Sequence, residues 1–363
     1  MQLGVAGLLV VIIAAPVSAQ EPDWAREFGE RVGRMAAAIA DTVVAEVSAA
    51  IEEAEQQRGR PQSGRDRGED VLTEEFSQSH NIGRNGRVRV ETLVGNISIT
   101  GGAGETVQIR AVKRVRNTSE AEARRIMPGI TIGVIARGNS VNVETSYRGR
   151  GNWQGQVDYT ITVPSSTQLV LESRSGNIRV SGVDGDVRAE TFSGNVNGTN
   201  LTRARQLKSF SGNVTIADSQ GEEFSAESYS GNTTLQNVKA MMVRLSGVSG
   251  NVRVTDLEAS RASLETLSGS IEYHGRFARG GRYEMKSHSG SIRVVPVDAV
   301  PFQLEANTFS GSVRSDYPVL LQSFGQGRRS NFTGPPQAEA APSGDSAMLS
   351  LRSFSGSILI TRK

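Results

Sequence analysis

The sequence predicts an all-β protein whose carboxy-terminal half is a β-solenoid built from rungs of about nineteen residues. Three observations support this fold class: glycines recur at regular spacing, positions aligned on them keep one chemical character, and the composition suits short strands with tight turns. The 363 residues include 40 Gly and 11 Pro, and only 5% are aromatic. Such a composition is unusual for a close-packed globular enzyme.

Glycines at the corners of the predicted rungs recur from residue 176 onwards. Each follows a serine, in a Ser-Gly-Asn or Ser-Gly-Ser motif, and together they are Gly176, Gly194, Gly212, Gly231, Gly250, Gly269, Gly290, Gly311 and Gly356. The successive gaps are 18, 18, 19, 19, 19, 21, 21 and 45 residues. A repeat of this period is typical of a solenoid, and the last gap contains an insertion.

Positions aligned on the corner glycine form columns, as stacking of equivalent residues requires. Five residues before it the side chain is apolar: Leu171, Ala189, Leu207, Ala226, Leu245, Leu264, Met285, Ala306 and Leu351. Three before it stands a small hydroxyl in all rungs but one: Ser173, Thr191, Ser209, Ser228, Gly247, Thr266, Ser287, Thr308 and Ser353. Two after it stands a β-branched residue: Ile178, Val196, Val214, Thr233, Val252, Ile271, Ile292, Val313 and Ile358. We therefore expect two strands per rung around a thin core.

The residue directly after the corner glycine predicts a side-chain ladder. It is Asn in the first five rungs along the chain, Asn177 to Asn251, and Ser in the last four, Ser270 to Ser357. An amide bonds best to an amide directly above it, so a single block of Asn is what a ladder requires.

The amino-terminal part of the chain predicts export. Residues 1–19 form an uncharged, largely apolar run that ends in Val17-Ser18-Ala19, a small-x-small pattern expected of a signal peptide, although no basic residue precedes the run. An uncleaved membrane anchor is the alternative. After cleavage the chain would keep no membrane span, because no later segment is apolar enough.

Between this signal and the solenoid the sequence predicts three further segments. Residues 20–55 form an amphipathic helix, since apolar residues recur every three or four positions from Trp24 to Ile51. Residues 56–75, rich in Arg and Gly, predict a flexible linker. Residues 76–164 predict a β-rich part without a regular period, interrupted by a short helix that Ser119 caps and Pro128 ends. The solenoid itself spans 165–363, with a disordered insertion at about 323–346.

The opening strands, Val163-Pro164 before Ser165, and the repeated Ser-Gly-Asn/Ser corners resemble a bacterial domain-of-unknown-function family described as a putative adhesin. The resemblance covers roughly residues 88–363. It implies a β-strand repeat fold, and it supplies no catalytic residues.

Charged side chains that could carry chemistry lie on the outward positions. Asp184, Asp186, Asp218 and Asp256 fall near turns, and Arg179, Arg253, Arg293 and Arg314 lie three residues past a corner glycine. Such columns could bind a sugar acid and a divalent cation. However, the outward positions of any soluble solenoid are charged, and no acidic cluster persists across adjacent rungs, so we expect no catalytic, cofactor-binding or metal site.

Other chemistry is disfavoured by composition. The 40 basic and 38 acidic residues nearly cancel, which argues against nucleic acid as a partner. The chain has no Cys, and its three His residues, His80, His274 and His288, are far apart in sequence without companions at metal-ligand spacing.

A column of mostly aromatic residues lies two positions before the corner glycine. Its members include Phe192, Phe210, Tyr229, Val248, Leu267, His288, Phe309 and Phe354. These side chains either stack on one another at the corner or form an apolar contact stripe. As a contact stripe, the column could receive the amphipathic helix of its own or a neighbouring chain.

The sequence thus predicts an exported, non-catalytic, adhesin-like β-solenoid that presents an extended surface in the bacterial periplasm or at the cell surface. Its partners would be an envelope glycan, an envelope protein, or a second copy joined through the Trp24–Ile51 helix. Two alternatives stay open: a polysaccharide-active β-helix enzyme, lyase or hydrolase, and an envelope scaffold that engages a partner through the helix.

Overall fold

The computed structural model describes residues 70–116, 118–148, 155–297, 302–317, 331–333 and 346–362. The predicted signal peptide and amphipathic helix, and residues 56–69 of the predicted linker, lie outside these residues. The strands of the first part are β1 (Asp70–Asn81), β2 (Arg87–Val94), β3 (Ile97–Gly102), β4 (Thr106–Arg116), β5 (Ile130–Arg137), β6 (Ser140–Tyr147), β7 (Gly155–Pro164) and β8 (Gln168–Ser175). The remaining strands are β9 (Ile178–Ser193), β10 (Val196–Ser211), β11 (Val214–Ser230), β12 (Thr233–Ser249), β13 (Val252–Ser268), β14 (Ile271–Ser289), β15 (Ile292–Pro296), β16 (Phe302–Ser310), β17 (Ser312–Ser315), β18 (Asn331–Thr333), β19 (Ala347–Ser355) and β20 (Ile358–Ile360).

These strands confirm the predicted all-β solenoid. Each of β9 to β13 runs from one corner to the next and pairs in parallel with the following strand, so that Val214 lies beside Thr233 and Thr233 beside Val252. The column two residues after the corner glycine is buried throughout. The apolar column before the corner is buried too, except at Ala306, which is half-buried. Alternation of inward and outward residues therefore sets the register of the stack.

The strands do not end between corners, as the expectation of two strands per rung implied, but continue through a bend. Four residues in this bend have positive φ: Asn200 (51°), Asp218 (48°), Asn237 (50°) and Asp256 (51°). Asn and Asp tolerate the left-handed conformation better than other residues with a side chain, which explains their use here. We call the line of these residues the bend edge and the line of corner glycines the corner edge.

A rung that the sequence pattern does not reveal precedes the first counted corner. Gly95, between β2 and β3, stacks on Gly176: its amide donates to Ser175 O at 2.8 Å, and Ile97 N donates to Asn177 O at 2.9 Å. β2 pairs with β8 and β3 pairs with β9, both in parallel. Regular stacking thus begins within the part predicted to be β-rich but irregular.

Five further strands and a helix cover the amino-terminal end of the stack; β6 and β7 pair in parallel with the rung at Gly95, and the outer pairings are antiparallel. On one wall β7 pairs with β3, β4 with β7 and β1 with β4, while on the other β6 pairs with β2 and β5 with β6. Residues 70–75, which the linker prediction includes, form the first part of β1 and pair with β4, because Leu72 packs half-buried against the core. The short helix expected after Ser119 is present as α1 (Glu120–Ile126), followed by a 3-10 turn (Met127–Gly129).

Two tyrosines pack beneath this cover. The hydroxyls of Tyr159 and Thr145 are 2.6 Å apart and buried, and Tyr147 donates to Val94 O at 3.2 Å. Burial raises the pKa of Tyr159, and likewise that of Tyr147, to about 12. The end of the core therefore contains phenols that stay neutral when folded.

The rungs at the carboxy-terminal end do not stack in chain order. The strands around Gly356, β19 and β20, lie between those around Gly290 and those around Gly311: β19 pairs with β14 and β16, and β20 with β15 and β17. Within the predicted insertion, Asn331–Thr333 form β18, which pairs in parallel with β17. The other residues of that insertion lie outside the described part of the chain, apart from Ser346. The insertion thus allows the chain to return and fill a gap in the stack.

Candidate functional site

The corner edge is held by hydroxyl groups that reach from one rung to the next. The Ser or Thr three residues before each corner glycine donates to the carbonyl of the glycine in the neighbouring rung, at 2.7 to 3.3 Å. That carbonyl lies where a side chain on the next glycine would stand: a Cβ on Gly212 would be 2.1 Å from Gly194 O. Glycine and hydroxyl are therefore parts of the frame.

The predicted Asn ladder is present: the expected amide-to-amide bonds join Asn177 to Asn96 and Asn195 to Asn177, both at 3.1 Å, and a backbone bond accompanies them and continues along the whole Asn column. The side-chain oxygen of each Asn accepts the backbone N–H of the next residue in the column, as Asn195 Oδ1 does from Asn213 N at 2.8 Å and Asn251 Oδ1 from Ser270 N at 2.9 Å. The last bond of the ladder needs only a backbone N–H, which Ser270 supplies. The column can therefore change from Asn to Ser at this position. The ladder begins at Asn96, whose backbone and side-chain N–H groups both donate to Asp158 Oδ1.

The aromatic column at the corner edge forms two stacks. Phe192, Phe210 and Tyr229 have ring centroids 4.7 Å apart, and Phe354 lies between His288 and Phe309 at 4.8 and 4.9 Å. Val248 and Leu267 occupy the two rungs between the stacks. Only Phe309 is largely exposed, at 48%, so most ring faces are used by neighbours within the column. The stacking interpretation is supported, and little ring face is left to receive a ligand.

Several charged candidates from the sequence bond to adjacent rungs. Asp186 forms ion pairs with Arg203 and Arg205, at 3.2 and 3.5 Å, and Arg253 pairs with Glu272 at 2.9 Å. Asp184 accepts from Thr202 Oγ1 at 2.9 Å. Arg179, Arg293 and Arg314 are exposed, and Arg293 lies beside Glu272 and Leu359 rather than in a continuous row of Arg. These columns therefore contain mixed charges that mainly join one rung to the next.

Asp218 and Asp256, by contrast, lie together in a cleft of about 530 Å³ along the bend edge. Two neighbouring columns line it: Asp218, Asn237 and Asp256 in one, and Gln220, Lys239 and Glu258 in the other. Asn237 Nδ2 donates to Asp218 Oδ1 at 2.7 Å, and Lys239 pairs with Glu258 at 2.9 Å. The cleft thus presents two hydrogen-bonding side chains in each of three successive rungs.

Sequence reasoning named Asp218 and Asp256 but missed Asn237 and the neighbouring column. The available signal was the Asn or Asp five residues after Asn195, Asn213, Asn232 and Asn251. Its meaning depends on a backbone conformation that the sequence pattern alone does not reveal. His80, His274 and His288 are not brought together. Among the residues that the structure describes, no group of three His, Cys, Asp or Glu is placed to hold a metal ion. No helix among those same residues is both long and apolar enough to cross a membrane.

Comparison with known proteins identifies the family. A family model described as Toastrack DUF4097 matches residues 94–340. Similar solved structures include one named a putative adhesin of Bacteroides fragilis, at 12% identity and a TM-score of 0.38 over 81% of this chain and 100% of that one. A putative lipid binding protein of Parabacteroides distasonis matches at 10% identity and a TM-score of 0.38, over 79% and 96%. A putative adhesin of Parabacteroides merdae matches at 10% identity and 0.36, also over 79% and 96%.

No curated protein matches the chain. The family match extends from the rung at Gly95 to beyond the rung at Gly311, and residues 94–340 are more than half of the 363. The chain therefore belongs to the Toastrack DUF4097 family.

Proposed function

We propose that this protein is an exported, non-catalytic, adhesin-like component of the bacterial envelope that binds an extended polar polymer along its bend edge. The observation that carries the proposal is the cleft lined by the Asp218 and Gln220 columns. Neighbouring parallel strands are about 4.8 Å apart, so equivalent side chains recur at that interval. A glycan strand laid parallel to the stack would meet hydrogen-bonding groups at each of the three rungs whose side chains line the cleft.

The chemistry of the cleft favours a polyhydroxylated ligand. Asp218, Asp256 and Glu258 supply acceptors, Lys239 supplies a donor, and Asn237 supplies both. None of the residues that line the cleft is aromatic, so recognition would depend on hydrogen bonds rather than on stacking against sugar rings. The many small contributions expected of such a surface suit adhesion through repeated contacts.

The frame residues support a binding rather than a catalytic role. The corner hydroxyls and Asn side chains are occupied by bonds between rungs, and Asp184 and Asp186 have partners in the adjacent rung. Export is supported by the apolar run at residues 1–19. Whether the mature protein acts in the periplasm or at the cell surface is decided by fractionation together with mass spectrometry of its amino terminus.

The test is a glycan-array measurement on the full chain, followed by variants of the bend edge. Asn237→Gly removes a cleft side chain while keeping the left-handed backbone conformation accessible. Asn200→Gly makes the same change at φ 51° in the same column, outside the cleft, and is the matched control. We expect Asn237→Gly to weaken binding about fivefold, the equivalent of one lost neutral hydrogen bond of roughly 1 kcal/mol, and Asn200→Gly to leave binding unchanged.

Equal loss in both variants would contradict a site in the cleft. Release of reducing ends or unsaturated sugars from a bound polysaccharide would contradict the non-catalytic role and favour the enzyme alternative. Co-purification of an envelope protein that requires residues 24–51, without glycan binding, would favour the scaffold alternative.

A further inference from the structure

Strand β5 leaves one edge of the sheet open near the amino-terminal end of the stack. Among the described residues it pairs only with β6, in antiparallel register. Its sequence is Ile-Thr-Ile-Gly-Val-Ile-Ala-Arg, and four of its first five residues are β-branched. Ile135 is 54% exposed, while Ile132 and Val134 are half-buried. An exposed apolar edge of this kind is a template for another strand.

The direction of the free backbone groups follows from one hydrogen bond at the start of the strand. Arg148 N donates to Gly129 O at 2.8 Å, so Gly129 and Arg148 form a hydrogen-bonded pair. In an antiparallel ladder such pairs alternate, which directs the N–H and C=O groups of odd-numbered β5 residues towards β6. The N–H and C=O groups of Ile132, Val134 and Ala136 therefore point away from β6. Ile130 N is already bonded, to Met127 O.

Two other open edges carry charged residues within the strand, whereas β5 carries one only at its last position. In the described part of the chain β1 pairs only with β4, and it carries Glu74 and Glu75 near its middle. β16 pairs only with β19 and carries Glu305. Charged residues on an edge strand oppose edge-to-edge association. In β5 the only charged residue is Arg137, at the last position.

We propose that β5 is the interface of a homodimer, in which it pairs antiparallel with β5 of a second copy about a two-fold axis at Gly133. In this register Ile132 faces Val134 of the partner, Thr131 faces Ile135, and Arg137 falls opposite Gly129. The outward-pointing groups of Ile132 and Val134 meet their counterparts as hydrogen-bonded pairs. Every directly opposed pair within residues 130–136 is uncharged, and the sheet becomes continuous across both chains.

A second copy fits this edge better than an unrelated strand because the register is self-complementary. A two-fold axis through Gly133 places each residue opposite one of the same parity, so the half-buried Ile132 faces the half-buried Val134 of the other copy. Gly133 lies at the axis, so the Gly133 residues of the two copies face each other as a non-hydrogen-bonded pair. The Cα atoms of such a pair are about 4.5 Å apart, within the range that a disulfide spans.

The first test measures the mass of the full chain by sedimentation equilibrium. Val134→Pro removes an N–H that points to the partner but leaves the bonds to β6 intact. Val134→Ala also removes the valine side chain but keeps the backbone N–H, so it is the matched control. We expect wild type and Val134→Ala to be dimers and Val134→Pro to be a monomer whose circular dichroism shows the same strand content.

The second test uses the absence of Cys from the chain. A Cβ on Gly133 would meet only Glu144 O, at 3.8 Å, so Gly133→Cys fits the fold. In the proposed register it forms a disulfide with its own copy under mild oxidation. Thr131→Cys is the control, because its two thiols would lie four residues apart, roughly 13 Å along the strand. We expect at least tenfold faster crosslinking of Gly133→Cys.

Three outcomes would overturn the proposal: a monomeric wild type, a Val134→Pro chain that is as dimeric as Val134→Ala, or equal crosslinking at positions 131 and 133. A dimer formed through residues 24–51 would persist in Val134→Pro, so the second outcome also identifies that alternative.

Discussion

At the scale of single residues, the corner combines three demands that only a few residue types meet. The glycine must leave room for the carbonyl of the neighbouring rung, which in most rungs lies 2.0 to 2.3 Å from its hypothetical Cβ. The hydroxyl three residues earlier must reach that same carbonyl, and the Asn or Ser after the glycine continues the corner ladder. The motif is therefore explained by stacking alone, without any contribution from ligand binding.

One rung lacks its hydroxyl and offers a test. Gly247 stands in the Ser/Thr column, and a Cβ there would meet its nearest atoms at ordinary distances of 3.6 to 3.8 Å. We expect Gly247→Ser to stabilise the protein by about 1 kcal/mol through a new hydrogen bond to Gly231 O, measured by urea unfolding. Gly247→Ala is the control, since it restricts the unfolded chain equally but adds no hydroxyl. A serine variant no more stable than the alanine variant would show that the column bond contributes nothing.

At the scale of elements, the strands and α1 that cover the amino-terminal end of the stack enclose buried phenols. The stack itself buries two phenols in β14, Tyr273 and Tyr283, and the covering elements enclose two more: Tyr159, beside Thr145, and Tyr147, which donates to Val94 O. The pKa values of Tyr159 and Tyr147 are both raised because a charged phenolate would lose its hydration in this place. The end of the stack should therefore be sensitive to alkali.

Alkaline unfolding tests this property of the end strands. A raised pKa in the folded state means that the stability gained from a neutral Tyr159 is complete below the unfolded value of 10 and is lost as the pH rises towards 12. A shift of about two units corresponds to roughly 2–3 kcal/mol at the top of that range. We expect the Tm of Tyr159→Phe, although lower at pH 8 through loss of the Thr145 bond, to fall less than that of wild type between pH 9.5 and 11. Parallel Tm curves for the two proteins would contradict this account.

Much of this element structure follows from sequence, and the exceptions have physical reasons. The columns on Gly176 to Gly311 predict register and burial because stacking repeats the same environment. The rung at Gly95 is not detected from the repeat because Val94 stands in place of the corner serine and the next corner glycine is 81 residues away. Asp218 and Asp256 could be named as outward carboxylates, whereas their grouping with Asn237 depends on left-handed residues in a bend within continuous strands.

At the scale of the whole solenoid, stability is expected to depend mainly on neighbouring rungs. The described strands form one continuous sheet, and the residues of its hydrophobic core extend along the chain from Ile82 to Ile360. β19 and β20 differ from the other strands of the stack, because each lies between two strands that precede it in the chain. Removing them leaves an internal gap in the stack.

Deletion of residues 346–363 tests how local the stack is. β16 loses β19, with which it pairs along Phe302 to Ser310, and β17 loses β20. We expect backbone amides of residues 302–317 to lose at least about a hundredfold of their hydrogen-exchange protection, equivalent to roughly 3 kcal/mol of local stability. Amides of β9 to β12 should keep theirs. Unchanged protection of residues 302–317 would mean that this segment restacks directly on β14.

The displaced position of β19 and β20 also bears on biosynthesis. A chain that emerges from the ribosome or crosses a membrane from its amino terminus delivers residues 302–317 before the strands on which they must pack. That earlier segment cannot complete its pairing at once, because its partners in β19 and β20 lie 45 positions later in the chain, as Ala347 does for Phe302. A chain interrupted before Ile358 would carry unpaired edges that a protease can recognise. The stack can therefore be completed only after translation and transport have delivered β19 and β20.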